Sequence, residues 1–165
     1  AVQTGMAVPA RRPKSGKSKD KGKEDGILKS QKILLTWLIE DEGIFNQISK
    51  YILPEDFSDG IFRTVASLLY EQYEMGEVNP AKIMNHFTDE EEHREVAGLF
   101  HTMIRELSTP AEREKALKET VVRVKSNSIE EAGRNWNVAD VEGMQRLMKA
   151  KSDLQNLRKL HISVN

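Results

Sequence analysis

The run Ile33-Leu34-Leu35-Thr36-Trp37-Leu38-Ile39 is the longest apolar stretch of the chain, and its reading decides the fold. It is too short for the roughly 20 apolar residues a bilayer span needs, and it has the length of a buried helix segment. Within Ile27–Asp41, Ile27, Leu34, Leu35 and Leu38 fall on one side of a helix, with Ile33 and Trp37 beside them. So wide a stripe predicts a helix packed on several sides.

The same period continues downstream. Gly43 is read as the break, and Ile44, Phe45 and Ile48 form a short second helix before Leu53-Pro54. A third helix from about Ser58 carries Ile61, Phe62, Val65, Leu68, Leu69 and Tyr73 and ends at Gly76. Asn79-Pro80 places an N-cap before a first-turn proline, ahead of Ile83, Met84 and Phe87. Thr88 and Glu91 fit a capping box for a fifth helix bearing Val96, Leu99, Phe100, Met103 and Leu107. Thr109-Pro110 opens a sixth helix to about Gly133, and a last one spans roughly Asp140 to His161. No alternating strand pattern competes. The expected fold is all-α: a five-helix bundle over residues 27–107, then a two-helix antiparallel hairpin over 108–165.

Residues 1–26 differ in kind, being rich in Lys, Ser, Gly and Pro and nearly free of bulky apolar side chains. They cannot bury enough surface to offset ordering, which predicts a flexible, disordered linker and implies a folded part upstream. The net charge of −1 conceals an asymmetry, since these residues hold seven basic side chains against three acids. The remainder holds 18 basic against 23 acidic side chains. An acidic body is a poor binder of phosphate backbones, so no direct nucleic-acid binding is expected from it. With no membrane span, no secretory signal and no cysteine, a cytoplasmic protein-binding module is the expectation.

Catalytic motifs do not survive inspection. Ser15-Gly16-Lys17-Ser18 is half of a phosphate-binding loop, but Arg11 stands where the first glycine is required. His86, His93, His101 and His161 form no His-x-x-x-His pair. Asp89-Glu90-Glu91-Glu92 suits the positive end of a helix dipole and lacks the calcium-loop spacing. Neither catalysis nor a metal or cofactor is expected.

The hairpin is more informative. Leu117, Val121, Val124, Ser128 and Ala132 form one seam, and Val122, Ile129 and Trp136 a second about 100° around the helix. One seam closes the hairpin. The other meets the bundle or a second protein, unless both are consumed internally. On the final helix Leu154, Leu157, Leu160 and Ile162 lie among Lys149, Lys151, Arg158 and Lys159, an amphipathic pattern that suits an acidic groove.

Taken together, Lys32–Glu40, then Tyr51-Ile52-Leu53-Pro54-Glu55-Asp56-Phe57, Phe62-Arg63 and Leu68-Leu69-Tyr70 resemble the C-terminal domain of DnaG-type bacterial primases, in the version of Gram-positive bacilli. The resemblance covers about residues 27–165. It implies a non-catalytic domain that tethers a primase, itself a DNA-directed RNA polymerase, to the hexameric DnaB-type replicative helicase through that helicase's N-terminal domain. It also implies that the bundle stimulates the helicase while the hairpin supplies most of the binding. The helicase contacts would then come from the two seams: Ile129, Met144, Leu147, Met148, Leu154, Leu157, Arg158 and Leu160. The alternative reading is a helical adaptor or regulatory module of another multidomain protein.

The linker reading has a direct consequence. Deleting residues 1–24 should leave the thermal unfolding transition nearly unchanged, and a clear drop would show that the segment is structured or makes contacts.

Overall fold

The computed structural model describes residues 15–100 and 109–164. Among these residues every regular element is a helix: α1 (Ser15–Glu40), α2 (Glu42–Ile48), a 3-10 turn (Pro54–Asp56), α3 (Ile61–Met75), α4 (Pro80–His86), α5 (Glu90–Phe100), α6 (Pro110–Asn135) and α7 (Val141–Lys159). The expected Met103 and Leu107 lie outside the described residues.

α1 corrects the expected linker boundary, because it begins at Ser15 and residues 15–26 are helical. Helix nucleation is the expensive step, and packing has already fixed the helix from Ile27 onward. Each further residue then adds a hydrogen bond without a new nucleus. No proline lies between Pro13 and Pro54, and Gly22 and Gly26 cost only about 1 kcal/mol each relative to alanine. The half P-loop motif therefore sits in the first turn of α1. The added turns reach α6 through Lys23, 3.5 Å from Glu130, with both side chains more than half exposed. Such a surface pair contributes about 0–1 kcal/mol. Deletion of residues 1–24 should consequently reduce helical ellipticity while barely moving the melting point.

Caps set the other boundaries. The break between α1 and α2 belongs to Asp41, whose carboxylate accepts from Gly43 N at 2.8 Å and Ile44 N at 3.3 Å; Gly43 itself lies inside α2. Gly76, in the left-handed region at φ 82°, ends α3. Asn79 accepts from Lys82 N ahead of Pro80. The expected Thr88 cap is displaced by one residue, since Asp89 accepts from Glu91 N and Glu92 N at 3.0 and 3.1 Å. A carboxylate is the stronger acceptor and also complements the dipole. Thr109 and Glu112 close a reciprocal capping box on α6.

The core is one cluster that runs through every helix. Leu34, Leu35, Trp37 and Leu38 of α1 meet Ile44 and Ile48 of α2, Val65 and Leu69 of α3, Ile83 of α4, and Val96 and Leu99 of α5. Leu117, Val121 and Val124 of α6 and Leu157 of α7 belong to the same cluster. The order of the cross-contacts, Lys23 to Glu130 and Ser30 to Arg123, shows that α1 and α6 run antiparallel. Polar groups pin this core in register. The Gln31 amide exchanges two hydrogen bonds with Ser58, each 2.8 Å, and Thr36 Oγ1 donates to Leu99 O at 3.1 Å.

The strongest tie joins α6 to the turn before α3. Lys125 Nζ lies 2.9 Å from Asp56 Oδ2, with both side chains nearly inaccessible to water. Ser128 Oγ donates to the other carboxylate oxygen at 2.7 Å, and Leu53 N donates to Oδ2 at 2.8 Å. A buried pair is strongly destabilising when one partner is removed and often neutral when both become apolar. Lys125→Met alone should therefore lower unfolding stability by about 3–5 kcal/mol, and the double variant Asp56→Leu, Lys125→Met should lose clearly less than the sum of the singles. Additive losses in chemical denaturation would contradict the pairing.

Two tyrosines brace α3. Tyr70 Oη donates to Ile52 O at 2.5 Å and Tyr73 Oη donates to Leu38 O, while Phe45 stacks on Tyr73 at 3.9 Å. Burial first, then the charge of Glu42 and Asp41, pushes the Tyr73 phenol up to about 12. Burial, with Asp56 adding to it, also raises Tyr70. A phenol raised in the fold contributes stability that is complete below its unfolded value near 10 and is lost as pH climbs through the folded value. Denaturant midpoints should thus fall between pH 10 and pH 12. In the double variant Tyr70→Phe, Tyr73→Phe, which starts less stable, that fall should be shallower.

Candidate protein-interaction surface

α6 and α7 pack along each other through a loop, residues 136–140, that is fixed by its own side chains. Trp136 Nε1 donates to Asp140 O at 2.9 Å, and Asn137 Oδ1 accepts from Ala139 N at 3.0 Å. Asp140 then caps α7 by accepting from Gly143 N at 2.8 Å. The hairpin tip is accordingly a rigid platform.

On α7, at about 100° per residue, Val141, Met144 and Met148 fall within roughly 60° of arc. They are 67%, 39% and 63% exposed, and Val138 in the loop is 82% exposed. Farther along the same helix the exposed side chains turn basic, with Lys151, Arg158 and Lys159. Isolated exposed apolar residues are ordinary, but an aligned stripe at a rigid helix tip has the form of a contact surface. Methionine suits such a surface because its flexible thioether adapts to a partner's relief.

The eight residues expected to meet a partner divide between the two faces of the hairpin. Met144, Met148 and Arg158 point outward. Leu147 and Ile129 are half-buried and line a cleft beneath the outer face. Leu154 is half-buried. Leu157 is fully buried in the common core, and Leu160 packs half-buried against that core just beyond the end of α7. The expectation that Leu157 meets a partner is corrected by its full burial: the helical period places Leu154 and Leu157 on the side of α7 turned away from Met148. Val138 and Val141 were missed because one sits in the loop and the other in the first turn of α7. Stepping three residues back from Met144, to the neighbouring position on the same helix face, finds Val141.

The cleft, about 410 Å³, lies between α6, α7 and the turn at Pro54. Among its charged groups Lys125 pairs with Asp56, Lys149 lies 3.0 Å from Asp153, and Arg146 lies 3.9 Å from Asp140. Ile129, Trp136 and Leu147 leave room for an apolar side chain. Among the described residues no group of three His, Asp or Glu is placed to hold a metal, and no helix is long and apolar enough to cross a membrane. Of the histidines, His161 lies 3.7 Å from Glu114, and His101 is outside the described residues. Comparison of the chain with protein-family models, curated proteins and solved structures gave no match.

Proposed function

We propose that this chain is the helicase-binding domain of a DnaG-type bacterial primase, acting in the cytoplasm to bring the primase to the replicative helicase at the fork. In this reading α1–α5 form the bundle that stimulates the helicase, and α6–α7 form the hairpin that binds it. The primase assignment rests on the ordered residues from Lys32 to Tyr70 that resemble that family. The binding role rests on one observation, the outward stripe Val141, Met144 and Met148 with basic side chains farther along α7. A partner surface of matching form would offer an apolar groove with an acidic rim.

The test is titration of the intact chain with the N-terminal domain of a DnaB-type helicase. Met144→Asp and Met148→Asp should each weaken binding by about 1–3 kcal/mol with little change in unfolding, as expected of interface anchors. Leu157→Ala should instead cost about 2–5 kcal/mol of fold stability, because it opens a cavity in the core. Full affinity in both methionine variants would move the contact off this face. Absence of any complex at micromolar concentrations would remove the primase reading and leave a helical adaptor with another partner.

A further inference from the structure

α7 stops at Lys159, and Leu160 takes up an extended backbone at φ −70°, ψ 133°. From there the side chains alternate. Leu160, Ile162 and Val164 face the fold, the last two only 2% and 8% exposed, while His161 and Ser163 face water. This is the period of a β-strand on a segment that has no strand beside it.

Side chains of α2 and α6 take the place of the missing neighbour. The Gln47 amide acts as a peptide unit would: Nε2 donates to Ser163 O at 3.1 Å, and Oε1 accepts from Ser163 N at 2.9 Å. Glu114 Oε1 accepts from Val164 N at 3.2 Å, and the Lys118 ammonium donates to Leu160 O. Main-chain hydrogen bonds combined with pockets for alternate side chains are the means by which extended peptides are recognised. Burial of Ile162 and Val164 obliges the backbone around them to find hydrogen-bond partners, and side chains of two helices supply these at successive backbone atoms of one short segment.

We propose that the groove between α2 and α6 is a binding site for an extended peptide of the pattern apolar-x-apolar-x-apolar. Residues 160–164 fill it in cis, and the same segment of a second copy of this chain can fill it in trans. The cis segment holds the advantage because its attachment to α7 gives it a high effective concentration. Exchange between copies carries α7 and its segment across together, with residues 136–140 as the hinge and Leu157 passing from one core to the other, the usual route by which identical elements swap. Seated, the segment is a latch that ties the end of α7 to α2.

The test uses the intact chain and amide exchange followed by NMR. Ser163 and Val164 amides should be protected in the parent protein. Ile162→Asp should expel the segment and raise their exchange at least about tenfold, while amides of α3 keep their protection. The capped pentapeptide Leu-His-Ile-Ser-Val, standing for the segment of a second copy, should then shift the Gln47 side-chain amide saturably. The parent protein, its groove filled, should not respond at the same peptide concentration. If Ile162→Asp does not fold, Ser163→Pro serves instead, read at the Val164 amide, since it removes the N–H donated to Gln47 Oε1 without placing a charge in the core. Unprotected Ser163 and Val164 amides in the parent, or a vacated groove that ignores the peptide, would overturn the proposal.

Discussion

Lys125 and Asp56 stand 69 residues apart in the chain and meet inside the protein. The effective desolvation of two such ions costs several kcal/mol each, so the pair is tolerable only with its hydrogen bonds complete. Asp56 meets that condition by accepting from Lys125, Ser128 and Leu53 N. Each requirement fixes something else. Ser128 sets the rotation of α6, Leu53 N sets the turn, and the turn sets the start of α3. Apolar contacts alone would let α6 slide or rotate against α1 at little cost. The buried pair has one satisfactory arrangement, and the hairpin inherits its position from it.

This explains why the terminal hairpin shares a core with the helices before it. Two helices by themselves bury little, so Leu117, Val121 and Val124 need the surface of α1. α7 meets α6 on the other side, through Leu157 and the half-buried Leu154. With α7's inner face consumed, its apolar outer residues remain exposed. The first seam of α6 thus enters the core through Leu117, Val121 and Val124, the second is half-buried at Val122, Ile129 and Trp136, and the outward stripe at Val141, Met144 and Met148 belongs to α7 instead.

Helices α1 to α4 and the cap at Thr109 were legible in the sequence because their signals are local: a period, a cap, a proline, a glycine. The start of α1 was not, because composition measures whether a segment folds alone and says nothing of a helix already nucleated downstream. Asp56 and Lys125 look like ordinary surface charges, and nothing near either in the chain announces the other. Leu154 and Leu157 were legible as apolar residues, but assigning them to a partner required knowing which side of α7 met α6. Ile162 and Val164 escaped for another reason. They obey a period of two, and a helical reading carried through to His161 hides the change of period.

Two of the long-range polar sites bracket the hairpin. Near the tip, the Asp56–Lys125–Ser128 group fixes α6 to the turn beneath the cleft. At the far end, Gln47, Glu114 and Lys118 hold the segment after α7. A helix fastened at one end only would reorient when a partner pressed on its exposed face, and part of the binding free energy would be consumed in ordering it. Held at its start by the loop that Trp136 and Asp140 brace and at its end by the segment after Lys159, α7 presents Met144 and Met148 in one orientation, and the adaptability needed for a partner's relief is left to the methionine side chains. The division is physical: rigidity comes from buried polar groups with one geometry, and plasticity from thioethers with many. A latch at the far end then gives the molecule one place where that rigidity can be withdrawn without disturbing the Asp56 site.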